Sequence, residues 1–329
     1  MDAPKRTLVT GAGGFIGSHL VEALVGRGHR VTALVHYNGR SDPGLLTELD
    51  SECLNSVEVV SGDVRDPFLL RRAVRGCDCV FHLAALVGVP YSFLAPTEYV
   101  TVNVLGTAHL LQACLDEGVG RVVHVSTSEV YGSARRLPVD EEHPLQGQSP
   151  YAASKIGGEK LAEAFYRSFG CPVVVVRPFN TFGPRQSARA IIPTVITQVL
   201  GGASVRLGAL DPIRDFTFVS DTVAGLMAVG LAEGVAGTTV NIGSGRGTTV
   251  AEIVALVTRA VGAGTVQVTP DATRLRPAAS EVTRLVADSS LARRLCGWQP
   301  ATSLEDGLAA TIGWVRSHPD HFKTSGYAI

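Results

Sequence analysis

Two side chains in the middle of the chain have the types and spacing needed for acid–base chemistry. Tyr151 and Lys155, in SPYAASK, lie four residues apart and follow Pro150. Proline favours the first turn of a helix, and residues four apart share a helix face, so both side chains should point the same way. A neighbouring ammonium lowers the pKa of a phenol and makes it a base for hydroxyl protons. The spacing predicts Tyr151 as a catalytic base assisted by Lys155; the alternative is ordinary surface chemistry.

A second polar group follows the apolar run that ends at Val125, in VSTSEVYG. Thr127 is suited to hydrogen-bond the oxygen that Tyr151 deprotonates, and otherwise is a β-branched strand residue. Glu129 stands among apolar residues, where a carboxylate is costly unless it is paired or used in catalysis. We expect Glu129 to be a second acid–base group; the alternative is a structural hydrogen bond to the following turn.

The N-terminal segment TLVTGAGGFIGSHL contains the pattern G-x-x-G-x-x-G at Gly11, Gly14 and Gly17. Glycine is required where a turn takes positive φ, where backbone approaches a pyrophosphate, and where a helix packs closely on a strand. Phe15 and Ile16 would begin that helix, whose N-terminus binds phosphate. A tight turn without a ligand is the alternative, but the position at a strand–helix junction predicts a dinucleotide site.

The residues expected at the adenosine ribose leave the choice between NAD and NADP open. The carboxylate that usually follows the second strand of an NAD site is missing from His36, Tyr37, Asn38, Gly39, Arg40 and Ser41. His36, Arg40 or Ser41 would accept a 2′-phosphate, which indicates NADP. Alternatively Asn38 binds the plain ribose of NAD and Arg40 is solvated.

Two further strand ends are expected to contact the cofactor. Asp63, in SGDVRD, is placed to accept from the adenine amino group, or else it caps the next helix. Leu83, Ala84 and Ala85 follow His82 at a strand end and would form the wall beside the cofactor. We expect His82 itself to pack rather than react.

The order of apolar runs and amphipathic stretches predicts the elements that carry these groups. Val- and Leu-rich runs alternate with helical patterns, which is typical of βαβ units and a buried parallel sheet. The predicted fold is α/β: a Rossmann-type doubly wound parallel sheet with a smaller mixed α/β C-terminal substrate domain. The expected boundaries are residues 1–178 for dinucleotide binding and 179–329 for the substrate, with 214–240 packing back on the first domain.

Composition excludes several other classes of protein. The chain has 329 residues, 45% of them hydrophobic and 18% charged, with a formal net charge of −1 and no Lys/Arg run. Disorder and a nucleic-acid partner are therefore not expected. We also expect no membrane span, no export signal and a cytoplasmic location. The six cysteines include no C-x-x-C, so neither disulfides nor a bound metal is expected.

The motifs together resemble the extended short-chain dehydrogenase/reductase family over nearly the whole chain, and within it the nucleotide-sugar 4,6-dehydratases. The resemblance rests on TGAGGFIGSHL, GDVRD, FHLAA, VNVLGT, STSEVYG, SPYAASK, RPFNTFGPRQ, RDFTFVSD, NIGSGRG and RPAASEV. It implies that Thr127, Ser128 and Glu129 are the dehydratase machinery. Many dTDP-glucose dehydratases have Asp where this chain has Ser128. In having serine at this position, the chain is similar to the GDP-mannose and GlcNAc-type dehydratases. The resemblance favours the GlcNAc type.

The same resemblance implies further binding residues and a partner. The substrate would be a nucleotide-diphospho-sugar contacted by Val87, Ser92, Asn180, Arg185, Arg214 and Arg276. Val64, Asn103 and Pro178 would complete the cofactor site, with Asn103 mainly a bridge between a helix and the active site. Related enzymes form homodimers through a four-helix bundle, which is expected here from the segments around 102–115 and 155–169.

The resemblance implies a reaction without net redox change. Tyr151 removes the proton of the sugar 4-hydroxyl during oxidation at C4, Glu129 removes the C5 proton, and water leaves from C6 before hydride returns. The alternatives are a 4-epimerase or a UDP-glucuronate epimerase or decarboxylase on the same scaffold. A more remote alternative is a non-catalytic protein that senses dinucleotides.

Overall fold

A computed structural model describes residues 5–202, 204–271, 274 and 277–322. In those residues the chain forms twelve strands: β1 (Arg6–Thr10), β2 (Arg30–His36), β3 (Glu58–Gly62), β4 (Cys79–His82), β5 (Arg121–Val125), β6 (Val173–Pro178), β7 (Asn180–Phe182), β8 (Val205–Leu207), β9 (Ile213–Phe218), β10 (Thr239–Ile242), β11 (Gly247–Thr249) and β12 (Val268–Pro270).

The helices of the same residues are α1 (Phe15–Gly26), α2 (Ser51–Asn55), α3 (Pro67–Val74), α4 (Val89–Leu94), α5 (Pro96–Tyr99), α6 (Gly106–Asp116), α7 (Pro150–Phe169), α8 (Ile191–Leu200), α9 (Val219–Leu231), α10 (Val250–Val261), α11 (Ser290–Cys296) and α12 (Leu304–Ser317). Short helical turns occupy Gly44–Glu48, Val100–Leu105, Ser128–Tyr131, Ala278–Ser280 and Pro319–Phe322. No helix in the described part of the chain combines the length and apolar character that crossing a bilayer requires.

Seven strands form one sheet in the order β3-β2-β1-β4-β5-β6-β10, and every neighbouring pair is parallel. Both faces are covered, since α1 and α9 pack on one side and α3, α6 and α7 on the other. This burial explains why strands such as VVVVRP carry consecutive apolar residues. The predicted doubly wound α/β fold is confirmed. Strand order reverses between β1 and β4, and a ligand site is expected at the carboxyl ends of these strands.

A smaller unit lies on that edge of the sheet. It contains the sheets β11-β9-β7 and β12-β8, with a separate core beneath α8, α10 and α12. The segment expected to return to the first unit is divided: residues 214–218 belong to β9 in the small sheet, whereas α9 and β10 join the large one. Ala292 and Trp298 also pack into the large core, a second return that the sequence pattern did not indicate.

Candidate active site

The glycine turn between β1 and α1 is closed tightly by backbone. Gly11 has a φ of 69°, and a Cβ there would lie 2.7 Å from the backbone nitrogen of Ala84. Gly14 precedes α1 with no side-chain cap, and the first turn, beginning Phe15 and Ile16, holds no acidic residue. The free N–H groups and the positive end of α1 therefore face the turn. This cradle, which side chains at Gly11 or Gly17 would fill, fits the pyrophosphate of a dinucleotide.

The loop after β2 is held by Asn38. Its Oδ1 accepts from the backbone N–H groups of Arg40 (3.1 Å) and Asp42 (3.0 Å), and its Nδ2 donates to the Asp42 carbonyl (2.8 Å). Arg40 is exposed, and His36 Nδ1 lies 3.8 Å from the Asp63 carboxylate. Asn38 thus shapes the ribose edge, and its amide is engaged within its own loop rather than turned outward.

Asp63 forms a local ion pair with Arg65. Its carboxylate accepts from the Arg65 backbone N–H (2.8 Å) and from Nη2 of the same residue (2.7 Å). Hydrogen bonding from Arg65 lowers the pKa of Asp63. The cap of α3 is Asp66, which accepts from two backbone N–H groups, so the capping alternative for Asp63 is wrong. Between them, Val64 is buried against Gly106.

The wall after β4 is fixed by buried polar groups. Asn103, 2% exposed, accepts from the Leu86 N–H (2.8 Å) and donates to the Leu86 carbonyl (3.0 Å) and to Ser154 Oγ on α7 (2.9 Å). Asn103 therefore bridges helix and loop. The wall residues Leu83, Ala84 and Ala85 are partly exposed at the strand end.

His82 is buried and bonded at both ring nitrogens. Nδ1 lies 2.8 Å from Thr10 Oγ1 and Nε2 lies 3.1 Å from Thr107 Oγ1. Burial lowers the pKa of His82 to about 3, so the ring is neutral. It packs between strand and helix.

The catalytic candidates converge at the carboxyl end of β5. Ser149 caps α7, and this places Tyr151 and Lys155 on the buried face of the helix. Lys155 Nζ donates to the carbonyl of Val125 at 2.7 Å. Thr127 forms a side-chain hydrogen bond with Tyr151 and accepts from the backbone N–H of Glu129 at 3.2 Å.

Burial raises the pKa of Tyr151; the hydrogen bond from Thr127 opposes this, whereas the negative charge of Glu129 and the neighbouring Tyr99 raise it further. Burial likewise lowers the pKa of Lys155 to about 8, and Glu159 opposes that change. The expected lowering of the Tyr151 pKa by Lys155 is therefore wrong for the chain's own groups. Desolvation disfavours the charged form of each side chain and is the largest influence on both pKa values.

The substrate side is lined by the small unit. Asn180 begins β7, and its buried Oδ1 has no hydrogen-bond partner within the described part of the chain. Arg214 on β9 is 7% exposed, with Nη2 at 3.5 Å from Glu281. The unpartnered acceptor of Asn180 suits a hydrogen-bond donor of a ligand, such as a hydroxyl group, whereas the guanidinium of Arg214 suits an anionic group. Pro178, the buried end of β6, leads directly into this edge.

Two expected substrate contacts, Arg185 and Ser92, are engaged elsewhere in the structure. Arg185, with a φ of 67°, turns to α1, where Nη1 lies 2.8 Å from the Glu22 carboxylate. Its loop is held there because the Pro184 carbonyl lies 3.0 Å from His19 Nε2. Ser92 is fully buried and donates to the Val89 carbonyl at 2.6 Å, within its own helix. Val87 is 63% exposed beside the site, and Arg276 lies outside the described residues.

A buried polar network behind the site was missed. Glu159 on α7 pairs with Arg177 of β6, and Arg177 donates to Tyr131 Oη, which donates to Asn241. The available signal was an arginine at the end of the apolar run VVVVRP. Across the described residues, no three His, Cys, Asp or Glu side chains are grouped as a metal site.

Comparison with known proteins identifies one family. The family model described as GDP-mannose 4,6 dehydratase matches residues 8–311. A dTDP-glucose 4,6-dehydratase from Streptomyces griseus is 39% identical over 94% of each chain. A UDP-glucose 4-epimerase from Mycolicibacterium smegmatis is 33% identical over 95% of this chain and 99% of its own.

A solved structure shows the same likeness. The dTDP-glucose 4,6-dehydratase from Streptomyces venezuelae, determined with NAD bound, superposes with a TM-score of 0.85. It is 35% identical and covers 97% of this chain and 99% of its own. Both dehydratases and epimerases are thus related to this chain along its whole length.

Proposed function

This chain belongs to the GDP-mannose 4,6 dehydratase family of extended short-chain dehydrogenase/reductases, and we propose that it is an NAD-dependent nucleotide-sugar 4,6-dehydratase. The observation that carries the proposal is the turn at residues 127–131. Glu129 lies close enough to Tyr151 to raise its pKa, and Thr127 bonds both residues. A simple oxidation or a 4-epimerisation has no use for a second carboxylate there.

NAD is the proposed cofactor, held by the glycine turn and the N-terminus of α1. When bound, NAD would supply the hydride acceptor for oxidation at C4 and the hydride that is returned to C6. NAD is supported over NADP by the related dTDP-glucose 4,6-dehydratase of Streptomyces venezuelae, whose structure was determined with NAD bound. Lys155 is proposed to hold the nicotinamide-side ribose with the N–H groups that do not bond Val125.

In the proposed reaction, Tyr151 Oη takes the proton of the sugar 4-hydroxyl. Thr127 Oγ1 steadies that oxygen and opposes the rise that burial causes in the pKa of Tyr151. The resulting C4 ketone acidifies the C5 proton, which Glu129 takes.

Elimination of water from C6 needs an acid, and Ser128 is a poor one. Ser128 is only 2% exposed, so a solvent proton is not readily available through it. We propose that Glu129 hands the C5 proton to the hydroxyl that leaves C6 as water. With hydride returned to C6, Tyr151 would then deliver the proton taken from the 4-hydroxyl to C5, which regenerates the base. One carboxylate would then serve as base and acid in turn.

The proposed substrate is a nucleotide-diphospho-sugar of the GlcNAc type. Asn180 and Arg214 are the proposed diphosphate contacts, supported by the planar donors of arginine and by the amide Nδ2 donor that asparagine offers to phosphate oxygens. The GlcNAc assignment is supported by Ser128 in STSEVYG and by the motif RPFNTFGPRQ.

Mass spectrometry of reactions with UDP-GlcNAc, GDP-GlcNAc, GDP-mannose, dTDP-glucose and UDP-glucuronate tests the proposal. We expect loss of one water from a UDP- or GDP-GlcNAc substrate. Loss of water from dTDP-glucose alone would retain the dehydratase and reject the GlcNAc assignment.

A 4-epimerase is the second candidate, favoured by Ser128, which leaves the turn without the acid many dehydratases have. In that case the product keeps its mass and changes configuration at C4. Loss of CO₂ from UDP-glucuronate would indicate a decarboxylase instead. Either result would assign Glu129 a structural role.

We further propose a homodimer formed by α6 and α7 of two chains. Leu94, Val100 and Leu105, on the helical segments leading into α6, are 67%, 53% and 46% exposed. Such side chains on neighbouring turns are typical of an interface. Sedimentation equilibrium would test this, and a Leu94→Glu/Leu105→Glu variant should be monomeric.

A further inference from the structure

Helix α7 carries a third buried polar side chain that the proposed reaction does not use. Tyr151, Lys155 and Glu159 are spaced by four residues and share one face of the helix. Glu159 and Lys155 are each 4% exposed. A buried carboxylate is costly without a partner, so the contacts of Glu159 indicate why it is there.

The partner of Glu159 is Arg177 on β6. Arg177 donates from Nε to Oε1 at 2.9 Å and from Nη2 to Oε2 at 2.7 Å, a two-pronged pair of which both members are buried. Arg177 Nη1 also donates to Tyr131 Oη at 2.8 Å, and Tyr131 donates to Asn241 Oδ1 at 2.7 Å. Tyr131 ends the turn that begins after Thr127. The pair therefore joins α7 to the catalytic turn.

The other groups facing Lys155 do not supply negative charge. His124 on β5 and His82 on β4 are buried, and burial lowers the pKa of each far enough to keep it neutral. Burial also lowers the pKa of Lys155 itself, and Glu159 opposes that effect. The guanidinium of Arg177 contacts the carboxylate of Glu159.

We propose that Glu159 and Arg177 are a positioning pair for the catalytic residues. Glu159 supplies the negative charge that holds Lys155 in its ammonium form, and Arg177 holds Glu159 and Tyr131 in place. Both act through other residues, not on the substrate. The effect on turnover rests on the proposed dehydratase function, whereas the effect on Lys155 does not.

The ionisation of Lys155 can be measured directly because the chain has four lysines, Lys5, Lys155, Lys160 and Lys323. The full-length protein would be labelled with ¹³C-lysine and titrated by NMR, with Lys155→Met identifying the signal. We expect Glu159→Gln to move the Lys155 midpoint to lower pH by about one unit or more.

Glu163→Gln is the matched control. Glu163 lies one turn further along α7, is more exposed, and pairs with Lys160 and Arg167. The Glu163→Gln substitution makes the same chemical change on the same helix. It should leave the pH midpoint of the Lys155 titration unchanged.

Turnover provides the second readout. Because Lys155 acts as the ammonium, Glu159→Gln should move the alkaline limb of the kcat profile to lower pH, with KM changed less than about twofold. Glu159→Asp, which retains the charge, should recover most of the wild-type profile.

Removing one member of a buried ion pair can prevent folding. The double variant Glu159→Gln/Arg177→Gln leaves no unpaired charge there, and should lower the Lys155 midpoint by a smaller amount. An unchanged midpoint in the folded variants would overturn the proposal. Absence of dehydration by the wild-type enzyme would instead refute the proposed function, and the titration would still decide the role of Glu159.

Discussion

Lys155 on α7 donates a 2.7 Å hydrogen bond to the carbonyl oxygen of Val125, the last residue of β5. This bond joins α7 to the strand that leads into the turn at Ser128–Tyr131. It also fixes the ammonium at the carboxyl edge of the sheet, where ligands of doubly wound folds bind. The position is productive for chemistry and unfavourable for stability, because the charge is buried.

We expect Lys155→Met to abolish turnover and to stabilise the fold at pH 7. The folded pKa of Lys155, about 8, is below its ordinary value of 10.5, so the unfolded chain binds more protons between these values. Wild-type stability should therefore rise with pH from about 8 to 10.5.

Removal of the buried charge should add about 1–2 kcal/mol at pH 7, after the lost bond to Val125 is counted. Urea denaturation at several pH values measures this. A flat pH dependence through this window, equal for both proteins, would contradict the burial argument.

Glu129→Gln should preserve oxidation at C4 and block elimination. The amide cannot take the C5 proton, so release of dehydrated product should fall at least about 100-fold. Nicotinamide absorbance would report the first step, and mass spectrometry the second. The exposed Glu142→Gln is a control expected to behave like wild type. Normal product release from Glu129→Gln would remove Glu129 from the mechanism.

Gly11→Ala should weaken dinucleotide binding and destabilise the fold by about 1 kcal/mol or more, because its φ is positive and the new Cβ meets Ala84 backbone. Gly26→Ala, near the end of α1, has no heavy atom within 4 Å of its Cβ and should be neutral or slightly stabilising. Thermal denaturation and NADH fluorescence titration compare the two. Equal effects would show that the turn tolerates a side chain.

Arg185→Ala and Arg214→Ala should separate two roles that look alike in the sequence. Arg214→Ala should raise KM for the nucleotide sugar about tenfold or more, because it removes the proposed diphosphate contact. Arg185→Ala should leave that KM nearly unchanged and lower stability, since it breaks the contact with Glu22 on α1. Steady-state kinetics and melting temperatures distinguish them. A large KM effect in Arg185→Ala would mean that its side chain leaves Glu22 when substrate binds.

The sequence by itself determined the parts of this protein that depend on short-range geometry. The apolar runs predicted the doubly wound sheet, the glycine spacing predicted the strand–turn–helix cradle, and Pro150 followed by Tyr151 and Lys155 predicted two side chains on one helix face. Steric limits on φ and ψ and the 3.6-residue helical period act within a few residues. Their consequences can therefore be predicted from the local sequence.

Only the tertiary structure decided which partner each charged group meets. Arg185 contacts Glu22, 163 positions away by number, and Glu159 meets Arg177 across a helix–sheet interface. The placement of residues 214–218 in the small sheet and the return of Ala292 and Trp298 to the large core are likewise set by packing. Partner choice and pKa depend on burial and on distances between segments remote in sequence, and no local spacing encodes them. For that reason the spacing could predict Tyr151 as a base, whereas the rise in its pKa emerged only from the folded chain.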